Sequence, residues 1–549
     1  MTYKKIFFSL LFGSLASQLG AQSRGAQLPI ATVSKVWIPD NGKGYYKNPV
    51  LHADYSDPDV CRAGDDYYMT ASSFSCIPGL PILHSNDLVS WQLVGHAVAE
   101  RLPQVAYDKP QHGSGIWAPS IRFHNGEFYI FYGDPDYGIY MTKSKKAEGP
   151  WEPLALVKEG RGLIDPCPLW DDDGSVYLVH AYAGSRAGIK SLLAVCRLSP
   201  DAAKAVTEDI IVYDGHDADE TVEGPKLYKR NGYYYIFAPA GGVATGWQLA
   251  LRSKSIFGPY ERKVVLAQGR SAVNGPHQGA WVDTKAGEDW FFHFQEIPAA
   301  GRVVHLQPMR WVNGWPVIGE DKDGDGCGEP VMAYKKPDVG ATYPIATPAE
   351  SDEFDGDRIG LQWQWHANPR PWWAYLNRGK KQLRLFSVPL PEGEQNLWGA
   401  GNLLLQKFPA PDFRVIAKVK LTPSKRLDGE RAGLVIMGVD YASIFVQKAP
   451  DGLALSQSDC ANADKGTAER VNGTVKLASG EVFLMVRVEK NQRCTFFYSL
   501  DGKKYEPLGK TFAAQSGRWI GAKIGLFCQR PKPFNDGGWV DVDYFKVEN

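Results

Sequence analysis

The sequence predicts an all-β protein, a five-bladed β-propeller followed by a C-terminal β-sandwich, and two observations lead to this prediction. Long helical periodicity is almost absent, whereas short apolar or alternating runs bounded by Gly, Asn and Asp occur throughout. Five similar units also follow one another at intervals of 48 to 60 residues, long enough for four strands and their loops. Their opening turns lie at 64–66, 124–126, 172–174, 230–232 and 286–288.

The first predicted element is an export signal over residues 1–22. Lys4 and Lys5 precede a short apolar run, and the small residues Gly20 and Ala21 suit a cleavage site. The apolar run is shorter than the roughly 20 residues of a membrane-spanning helix. We therefore expect an exported protein, periplasmic or secreted, without a membrane span.

The composition narrows the classes of molecule that the protein is expected to bind. The chain has 61 basic and 61 acidic residues, which gives no electrostatic argument for binding nucleic acid or an anionic membrane. Aromatic residues reach 12%, with 17 Trp, which suits both strand packing and the stacking of rings on sugars. The eight cysteines form no CxxC motif and no zinc-like spacing with histidine, so we expect buried free thiols.

Two domains are predicted after the signal, the propeller at 23–340 and the sandwich at 350–549. The stretch from Pro337 to Pro348 between them has the composition of a linker. Beyond it strands resume with sandwich-like spacing, and residues 414–419 alternate between polar and apolar. That alternation predicts sheets with one buried and one solvated face.

Three acidic residues stand near the start of successive blades. Asp57 and Asp165 each precede their turn by seven residues, and Glu223 precedes its turn by eight. Residues at equivalent places in successive blades point at one axis. A turn aspartate or a strand cap would explain any one of these acids alone, but not three at matching places. An acid and a base on opposite sides of one bond are what glycoside hydrolysis requires.

These residues and their neighbours resemble the signatures of glycoside hydrolase family 43, of the two-domain α-L-arabinofuranosidase and β-xylosidase type. The matching stretches keep their order along nearly all the mature chain, at 48–51, 57–58, 116–119, 164–166, 223–228, 301–302, 310–316 and 353–357. The resemblance implies a five-bladed propeller that inverts anomeric configuration. It also implies that the sandwich is a concanavalin A-like jelly roll.

The resemblance assigns a role to each acid. Asp57 would be the general base that deprotonates the attacking water, and Glu223 the general acid that protonates the leaving oxygen. Asp165 would orient Glu223 and raise its pKa. The physical reason is that a nearby carboxylate disfavours a second negative charge, which helps an acid keep its proton near neutral pH.

Four further residues are assigned to the site by the resemblance. Arg302 would donate hydrogen bonds to sugar hydroxyls, with a strand-end ion pair as the alternative. Phe74 and Trp117 would be pocket walls, with core packing as the alternative. His277 would face the axis and hold a water or a structural calcium, although one histidine without oxygen ligands is a poor calcium site. No cofactor is expected to be required.

Asp59 departs from the family pattern, because many members have Ser or Thr two residues after the base. We therefore do not infer the substrate of this protein from that of the best-known xylosidases. We expect an exo-acting hydrolase of an oligosaccharide or polysaccharide, releasing terminal non-reducing α-L-arabinofuranosyl residues from hemicellulose or pectin fragments. The alternatives are a β-D-xylosidase or bifunctional enzyme on xylooligosaccharides, and a non-catalytic carbohydrate-binding propeller. The stretch Cys528–Asn535 is expected to reach the pocket rim.

Overall fold

A computed structural model describes residues 32–549, and almost all of its regular structure is β. The predicted export signal lies outside the described residues. Within the described part of the chain, no helix is long and apolar enough to cross a membrane. The first strand, β1 (Tyr45–Lys47), precedes the first blade.

Five four-stranded antiparallel sheets then follow in residues 59–318, each with its strands in sequential order. The first two blades contain β2 (Asp59–Ala63), β3 (Asp66–Thr70), β4 (Gly79–Ser85), β5 (Gln92–Val98), β6 (Trp117–His124), β7 (Glu127–Asp134), β8 (Gly138–Ser144) and β9 (Ala155–Glu159). The third and fourth contain β10 (Leu163–Trp170), β11 (Val176–Tyr182), β12 (Leu192–Leu198), β13 (Ile210–Asp214), β14 (Lys226–Arg230), β15 (Tyr233–Ala240), β16 (Trp247–Ser253) and β17 (Glu261–Ala267). The fifth contains β18 (His277–Asp283), β19 (Asp289–Ile297), β20 (Gly301–Val312) and β21 (Trp315–Ile318). The predicted five-bladed propeller is confirmed.

The predicted turns join the first two strands of each blade. Two of the two-residue hairpin loops among them have the sequence Asn-Gly, at Asn125–Gly126 and Asn231–Gly232. Both residues of each loop have positive φ, 49° and 80° in one and 50° and 74° in the other. Asn-Gly favours this geometry because its twist matches that of the flanking strands.

The ring of blades is closed by the segment that precedes β2. Leu51 exchanges backbone hydrogen bonds with Val304 of the fifth blade, at 3.0 and 3.3 Å. The side chain of Asn48 accepts from the Leu306 backbone N–H and donates to the Leu306 carbonyl. Residues before the first blade are therefore fixed to the last one, which also fixes the position of Asp57.

Before the sandwich begins, one short strand, β22 (Ala333–Lys335), pairs with β1. The sandwich itself consists of two sheets. Its strands are β23 (Gln364–Trp365), β24 (Ala374–Asn377), β25 (Gln382–Phe386), β26 (Val388–Pro389), β27 (Leu404–Lys407), β28 (Phe413–Thr422), β29 (Arg431–Met437), β30 (Tyr441–Ala449), β31 (Gly452–Cys460), β32 (Arg470–Leu477), β33 (Glu481–Val488), β34 (Arg493–Ser499), β35 (Glu506–Pro507), β36 (Phe512–Ala513), β37 (Lys523–Arg530) and β38 (Trp539–Glu548). One sheet has the order β23-β27-β37-β29-β30-β31-β32, with β26 beside β37. The other has the order β24-β25-β38-β28-β33-β34-β35, with β36 beside β34.

The helices within residues 32–549 are single turns in loops. They are α1 (Gly184–Ala187), α2 (Gly242–Thr245) and three 3₁₀ turns at Val105–Asp108, Leu397–Gly399 and Ala463–Lys465. The eight cysteines are all free, and seven of them are buried, which confirms the predicted thiols.

The alternation predicted for 414–419 is present in β28. Val415, Ala417 and Val419 are buried, whereas the residues between them are half-buried. The buried face packs against residues of the opposite sheet such as Leu434 and Ile524, in one apolar cluster. Such packing of two apolar faces defines a sandwich core.

Candidate active site

A bend recurs where the inner strand of each blade approaches the propeller axis. One residue there has positive φ in every blade: Asp57 at 55°, Ala118 at 21°, Asp165 at 57°, Gly224 at 57° and Gln278 at 39°. The strand register shifts at this place in the second, third and fifth blades. Bulges of this kind bend a strand and redirect its side chains, and here they do so at the axis. The conformation is sparsely populated for a non-glycine residue, and such residues cluster at functional sites.

The repeat corrects one detail of the sequence interpretation. Asp57 and Asp165 share the positive-φ position, but Glu223 stands one residue earlier, because Gly224 occupies that position in the fourth blade. The residue equivalent to Glu223 in the fifth blade is His277. The two meet across the gap between blades, with His277 Nε2 2.9 Å from Glu223 Oε1. The one-residue difference was visible in the sequence as a spacing of eight rather than seven.

All three acids nevertheless line one cavity of about 180 Å³. The predicted residues Phe74, Trp117 and Arg302 line it as well, as do the unpredicted residues Gln278, Lys190 and Trp519. His277 is not among the lining residues and is fully buried beside Glu223. The spatial convergence of Asp57, Asp165 and Glu223 expected from the sequence is therefore present.

Asp57 is buried, and hydrogen-bond donors surround its carboxylate. Ser56 Oγ and Ser72 Oγ donate to Oδ2 at 2.7 and 2.6 Å. Arg302 Nη1 lies 3.1 Å from Oδ1. Hydrogen bonds and an opposite charge both favour the charged form of a carboxyl group.

Asp165 has a different environment, although it occupies the same position in its blade. Its Oδ2 accepts a hydrogen bond from the Gly224 backbone N–H at 2.7 Å, and Gln278 Nε2 lies at 3.5 Å. Burial raises the pKa of Asp165 well above its ordinary value, and the nearby carboxyl groups of Glu223 and Asp57 raise it further. Because a second negative charge beside Glu223 is unfavourable, Asp165 retains its proton to higher pH than an isolated aspartate would.

Glu223 reaches into the cavity and is the most accessible of the three acids. Its side chain is 28% exposed, against 4% for that of Asp57. Besides His277, its neighbours in the cavity wall include Thr221 and Val222 of the same loop. A carboxyl group placed in this way can contact a ligand directly.

Arg302 lies at the start of β20 and is 7% exposed. Besides Asp57, its guanidinium contacts Ser56 Oγ at 2.9 Å and Glu296 Oε1 at 3.4 Å. Burial lowers its pKa, but the carboxylates of Asp57 and Glu296 outweigh burial and raise it overall. The guanidinium also stacks 4.8 Å above the Phe294 ring, so its orientation is fixed.

The sandwich contributes one residue to the cavity, Trp519, which the sequence interpretation did not identify. It follows Arg518 in the loop between β36 and β37 and stands 6.4 Å from Trp117, edge to face. The stretch Cys528–Asn535 was the predicted rim loop, and this prediction is wrong. Cys528 is buried within β37 and packs in the sandwich core. A single Trp among 17 carried no signal that could have located the contact.

Asp59, the departure from the family pattern, is fully buried below Asp57. Its Oδ2 accepts from Arg122 Nη1 at 2.6 Å and from the Ile121 backbone N–H at 2.7 Å. Arg122 Nη2 also contacts Cys167 Sγ at 2.8 Å. Because Asp59, Arg122 and Cys167 lie on the inner strands of three blades, they fill the axis beneath the cavity.

The calcium predicted at the axis stays a prediction. One nitrogen of His277 faces Glu223, and the other is buried without a partner. Within residues 32–549, the one group of three or more His, Cys, Asp or Glu side chains close enough to share an ion is Asp321, Asp323 and Asp325, in the loop after β21. The side chain that contacts His277 offers one carboxylate, that of Glu223, whereas calcium prefers six to eight oxygen ligands.

Comparison with known proteins agrees with this architecture. Residues 46–316 match the family model for glycosyl hydrolases family 43, and residues 351–548 match that of a β-xylosidase C-terminal concanavalin A-like domain. A putative β-xylosidase of Xylanibacter ruminicola is 40% identical over 490 residues, covering 88% of this chain and 86% of that protein. A non-reducing end α-L-arabinofuranosidase of Bacteroides ovatus is 30% identical over 415 residues, covering 72% and 74%. The crystal structure of a xylan β-1,4-xylosidase from Bacillus halodurans has a TM-score of 0.81 and 26% identity, covering 92% of this chain and 100% of that one.

Proposed function

Since this chain belongs to glycosyl hydrolases family 43, we propose that it is an exo-acting, inverting β-D-xylosidase that removes the terminal xylosyl residue from xylooligosaccharides. The observation that carries the proposal is the convergence of Asp57, Asp165 and Glu223 on one small cavity. Inverting hydrolysis needs a base and an acid that act from opposite sides of one sugar. Acids from separate blades meet that need.

Asp57 serves as the general base. Its carboxylate is held in place by Ser56, Ser72 and Arg302, and these donors favour the charged form that can take a proton from water. The attacking water then adds to the anomeric carbon, and its proton passes to Asp57. The fixed orientation of the carboxylate contributes to the rate because it needs no rearrangement during the reaction.

Glu223 serves as the general acid, which donates its proton to the glycosidic oxygen as the bond breaks. A general acid must be protonated near the operating pH. Asp165 supports that state, because two negative charges at this place are unfavourable. His277 holds Glu223 Oε1 at 2.9 Å, which leaves the other oxygen free to face the substrate.

The size of the cavity supports attack at a chain end. Phe74, Trp117 and Trp519 wall a volume of about 180 Å³. A cavity of that size suits a single terminal sugar rather than the interior of a polysaccharide. The buried guanidinium of Arg302 provides a planar donor for neighbouring oxygens of that sugar.

The relatives favour a xyloside over the arabinofuranoside that was preferred from the sequence. The relative that is 40% identical and the solved structure from Bacillus halodurans both carry xylosidase names. An α-L-arabinofuranosidase is the second candidate, because the Bacteroides ovatus relative has that activity in its name. The two sugars present similar hydroxyl groups to a small pocket, so a bifunctional enzyme is consistent with the same residues.

The test is hydrolysis of a panel of aryl glycosides, scored by kcat/KM. We expect the aryl β-D-xyloside to be cleaved fastest and the aryl α-L-arabinofuranoside more slowly. The reverse order would support the second candidate. No hydrolysis of either, nor of xylooligosaccharides or arabinoxylan fragments, would refute both and leave the non-catalytic carbohydrate-binding propeller.

A further inference from the structure

We infer that Asp54 is a positioning residue that couples the sandwich to the base Asp57, and this inference rests on the proposed function. Asp54 lies three residues before Asp57 and does not line the cavity. Its carboxylate instead holds two backbone groups, one from each domain. One belongs to Arg302 and the other to Gly521.

The first contact belongs to the propeller. Asp54 Oδ1 accepts a hydrogen bond from the Arg302 backbone N–H at 2.8 Å. The Arg302 side chain in turn lies 3.1 Å from the carboxylate of Asp57. The position of the Arg302 backbone, and therefore of the charge beside the base, depends on Asp54.

The second contact belongs to the sandwich. Asp54 Oδ2 accepts a hydrogen bond from the Gly521 backbone N–H at 2.9 Å. Gly521 ends the loop that carries Trp519, two residues earlier, into the cavity wall. The next residue, Ala522, donates its backbone N–H to the Ala299 carbonyl at 2.6 Å, so the loop lies along the turn between β19 and β20.

The packing around Asp54 leaves no room for adjustment. A Cβ atom on Gly301, which has φ of 84°, would stand 2.6 Å from the Asp54 carboxyl group and 2.8 Å from Gly521 Cα. A Cβ atom on Gly521 would stand 2.5 Å from the Ala300 carbonyl oxygen. The two glycines allow the two backbones to approach one carboxylate from either side.

A buried carboxylate requires hydrogen-bond donors, and Asp54 is only 3% exposed. Its donors come from different domains, so neither domain alone satisfies it. Displacement of the sandwich loop would leave one oxygen of the Asp54 carboxylate without a donor, at a cost in free energy. The carboxylate would then shift to find another donor, and the Arg302 backbone that it holds would shift with it. The carboxylate thus links the placement of Trp519 with that of Arg302.

The experiment measures the pH profile of kcat/KM for the full-length Asp54→Ala variant with an aryl glycoside that the wild type cleaves. Loss of both hydrogen bonds should lower kcat/KM by about ten- to a hundred-fold. The acid limb of the profile should also move, because the Arg302 guanidinium is no longer held in place beside the carboxylate of Asp57. The other titratable groups that line the cavity with Asp57 and Arg302 are Asp165, Tyr182, Lys190 and Glu223, and this change touches none of them.

Two variants separate positioning from stability. Asp352 in the sandwich is a matched carboxylate, since it accepts from the Phe354 and Gly360 backbone N–H groups at 2.8 and 3.0 Å. Asp352→Ala should lower the thermal midpoint as Asp54→Ala does, yet leave the acid limb in place. Asp54→Asn keeps one acceptor oxygen and should restore part of kcat/KM.

Gly521→Ala offers an independent route should Asp54→Ala not fold. The added methyl group meets the Ala300 carbonyl and pushes the Trp519 loop away, so KM should rise about ten-fold with a smaller change in kcat. An Asp54→Ala profile that superposes on that of the wild type, or an unchanged KM in Gly521→Ala, would overturn the inference while hydrolysis by the wild type still supports the proposed function. A wild type without hydrolysis would instead refute the function itself.

Discussion

The propeller axis and the sandwich interior are both buried, but they are filled with different chemistry. Around the axis lie buried charged and polar groups such as Asp57, Asp59, Asp165 and His277. The sandwich interior is one apolar cluster to which both sheets contribute, with residues such as Leu434 and Val486. Five inner strands that converge leave a channel rather than a packed layer, so polar side chains can occupy it and face a ligand.

A partly buried ion pair of the sandwich, Arg431–Glu469, is a direct counterpart to the acids of the axis. Arg431 donates to both carboxylate oxygens of Glu469, one of them at 2.8 Å, and Tyr441 donates to the same carboxylate. The charge of Arg431 and these hydrogen bonds lower the pKa of Glu469 despite its burial. Asp165 shows the opposite shift, because its neighbours are carboxyl groups. The carboxylate of Glu469 has all its partners within the protein. The acids of the axis instead line a cavity, where they can exchange protons with a ligand.

The largest expected effect contrasts Glu223 with Glu469. Glu223→Gln removes the proton donor and should lower kcat/KM by about 10²–10⁴-fold with no change in thermal midpoint. Glu469→Gln leaves the partly buried charge of Arg431 without its partner and should cost about 1–3 kcal/mol of stability, with kcat/KM of the folded fraction unchanged. Steady-state kinetics and thermal denaturation of both variants check this pair. Wild-type turnover by Glu223→Gln would contradict the assigned role.

The next effect tests whether the apolar cluster of the sandwich carries stability without chemistry. Leu484→Ala opens a cavity in the buried face of β33 and should cost about 2–5 kcal/mol in the free energy of unfolding. We expect kcat/KM below the transition to equal that of the wild type. A chemical denaturation curve and an initial-rate assay measure the two quantities. Loss of activity in a fully folded Leu484→Ala protein would show that the sandwich core controls the site directly.

A third effect concerns stability at acidic pH, to which a buried histidine of the propeller, His293, contributes. Burial lowers the pKa of His293 to about 4. Its Nδ1–H donates to the Phe294 carbonyl and its Nε2 accepts from Gln307, so a second proton has no acceptor. In the unfolded chain this histidine binds a proton below about pH 6.5, whereas in the folded protein it stays neutral down to about pH 4. The neutral, buried histidine therefore costs no stability above pH 6.5, and the free energy of unfolding decreases as the pH falls toward 4.

His293→Gln should therefore lose less stability than the wild type between pH 6.5 and 5, by about 1–2 kcal/mol. The measurement is the thermal midpoint as a function of pH. The matched control is His216→Gln, because His216 is exposed and pairs with Asp214 at the surface. Parallel curves for the wild type and His293→Gln would exclude this histidine as a source of acid lability.

The smallest effect concerns Trp519, where the two regions meet. Trp519→Ala removes one wall of the cavity while the three acids stay in place, so KM should rise about ten-fold and kcat should change little. Trp372→Ala is the control, because Trp372 is an exposed sandwich tryptophan that does not line the cavity. Kinetics with an aryl glycoside check both. Equal KM values in the two variants would remove Trp519 from the binding site.

The sequence predicted what local repetition encodes. Asn-Gly turns, apolar strands and the recurrence of Asp57 and Asp165 at the same distance from a turn all leave a periodic trace, and the five blades follow from it. The one-residue offset of Glu223 was present in the spacing, but its consequence, the pairing with His277, depends on how two blades pack. A backbone bulge at the axis is a three-dimensional property that spacing alone does not reveal.

Contacts between distant parts of the chain could not be predicted in the same way. Trp519 reaches the cavity through an irregular loop, and no periodicity marks it among other tryptophans. Asp54 lies among several acids near the start of the first blade, and its partners Arg302 and Gly521 are more than two hundred residues away. The burial of Asp59 against Arg122 likewise follows from the meeting of two inner strands.

The measurement that tests the central claim most directly is the anomeric configuration of the first product, followed by ¹H NMR during hydrolysis of an aryl β-D-xyloside. A base and an acid acting from opposite sides of the sugar predict that α-xylose appears first and then equilibrates with the β anomer. Initial release of β-xylose would contradict the roles assigned to Asp57 and Glu223.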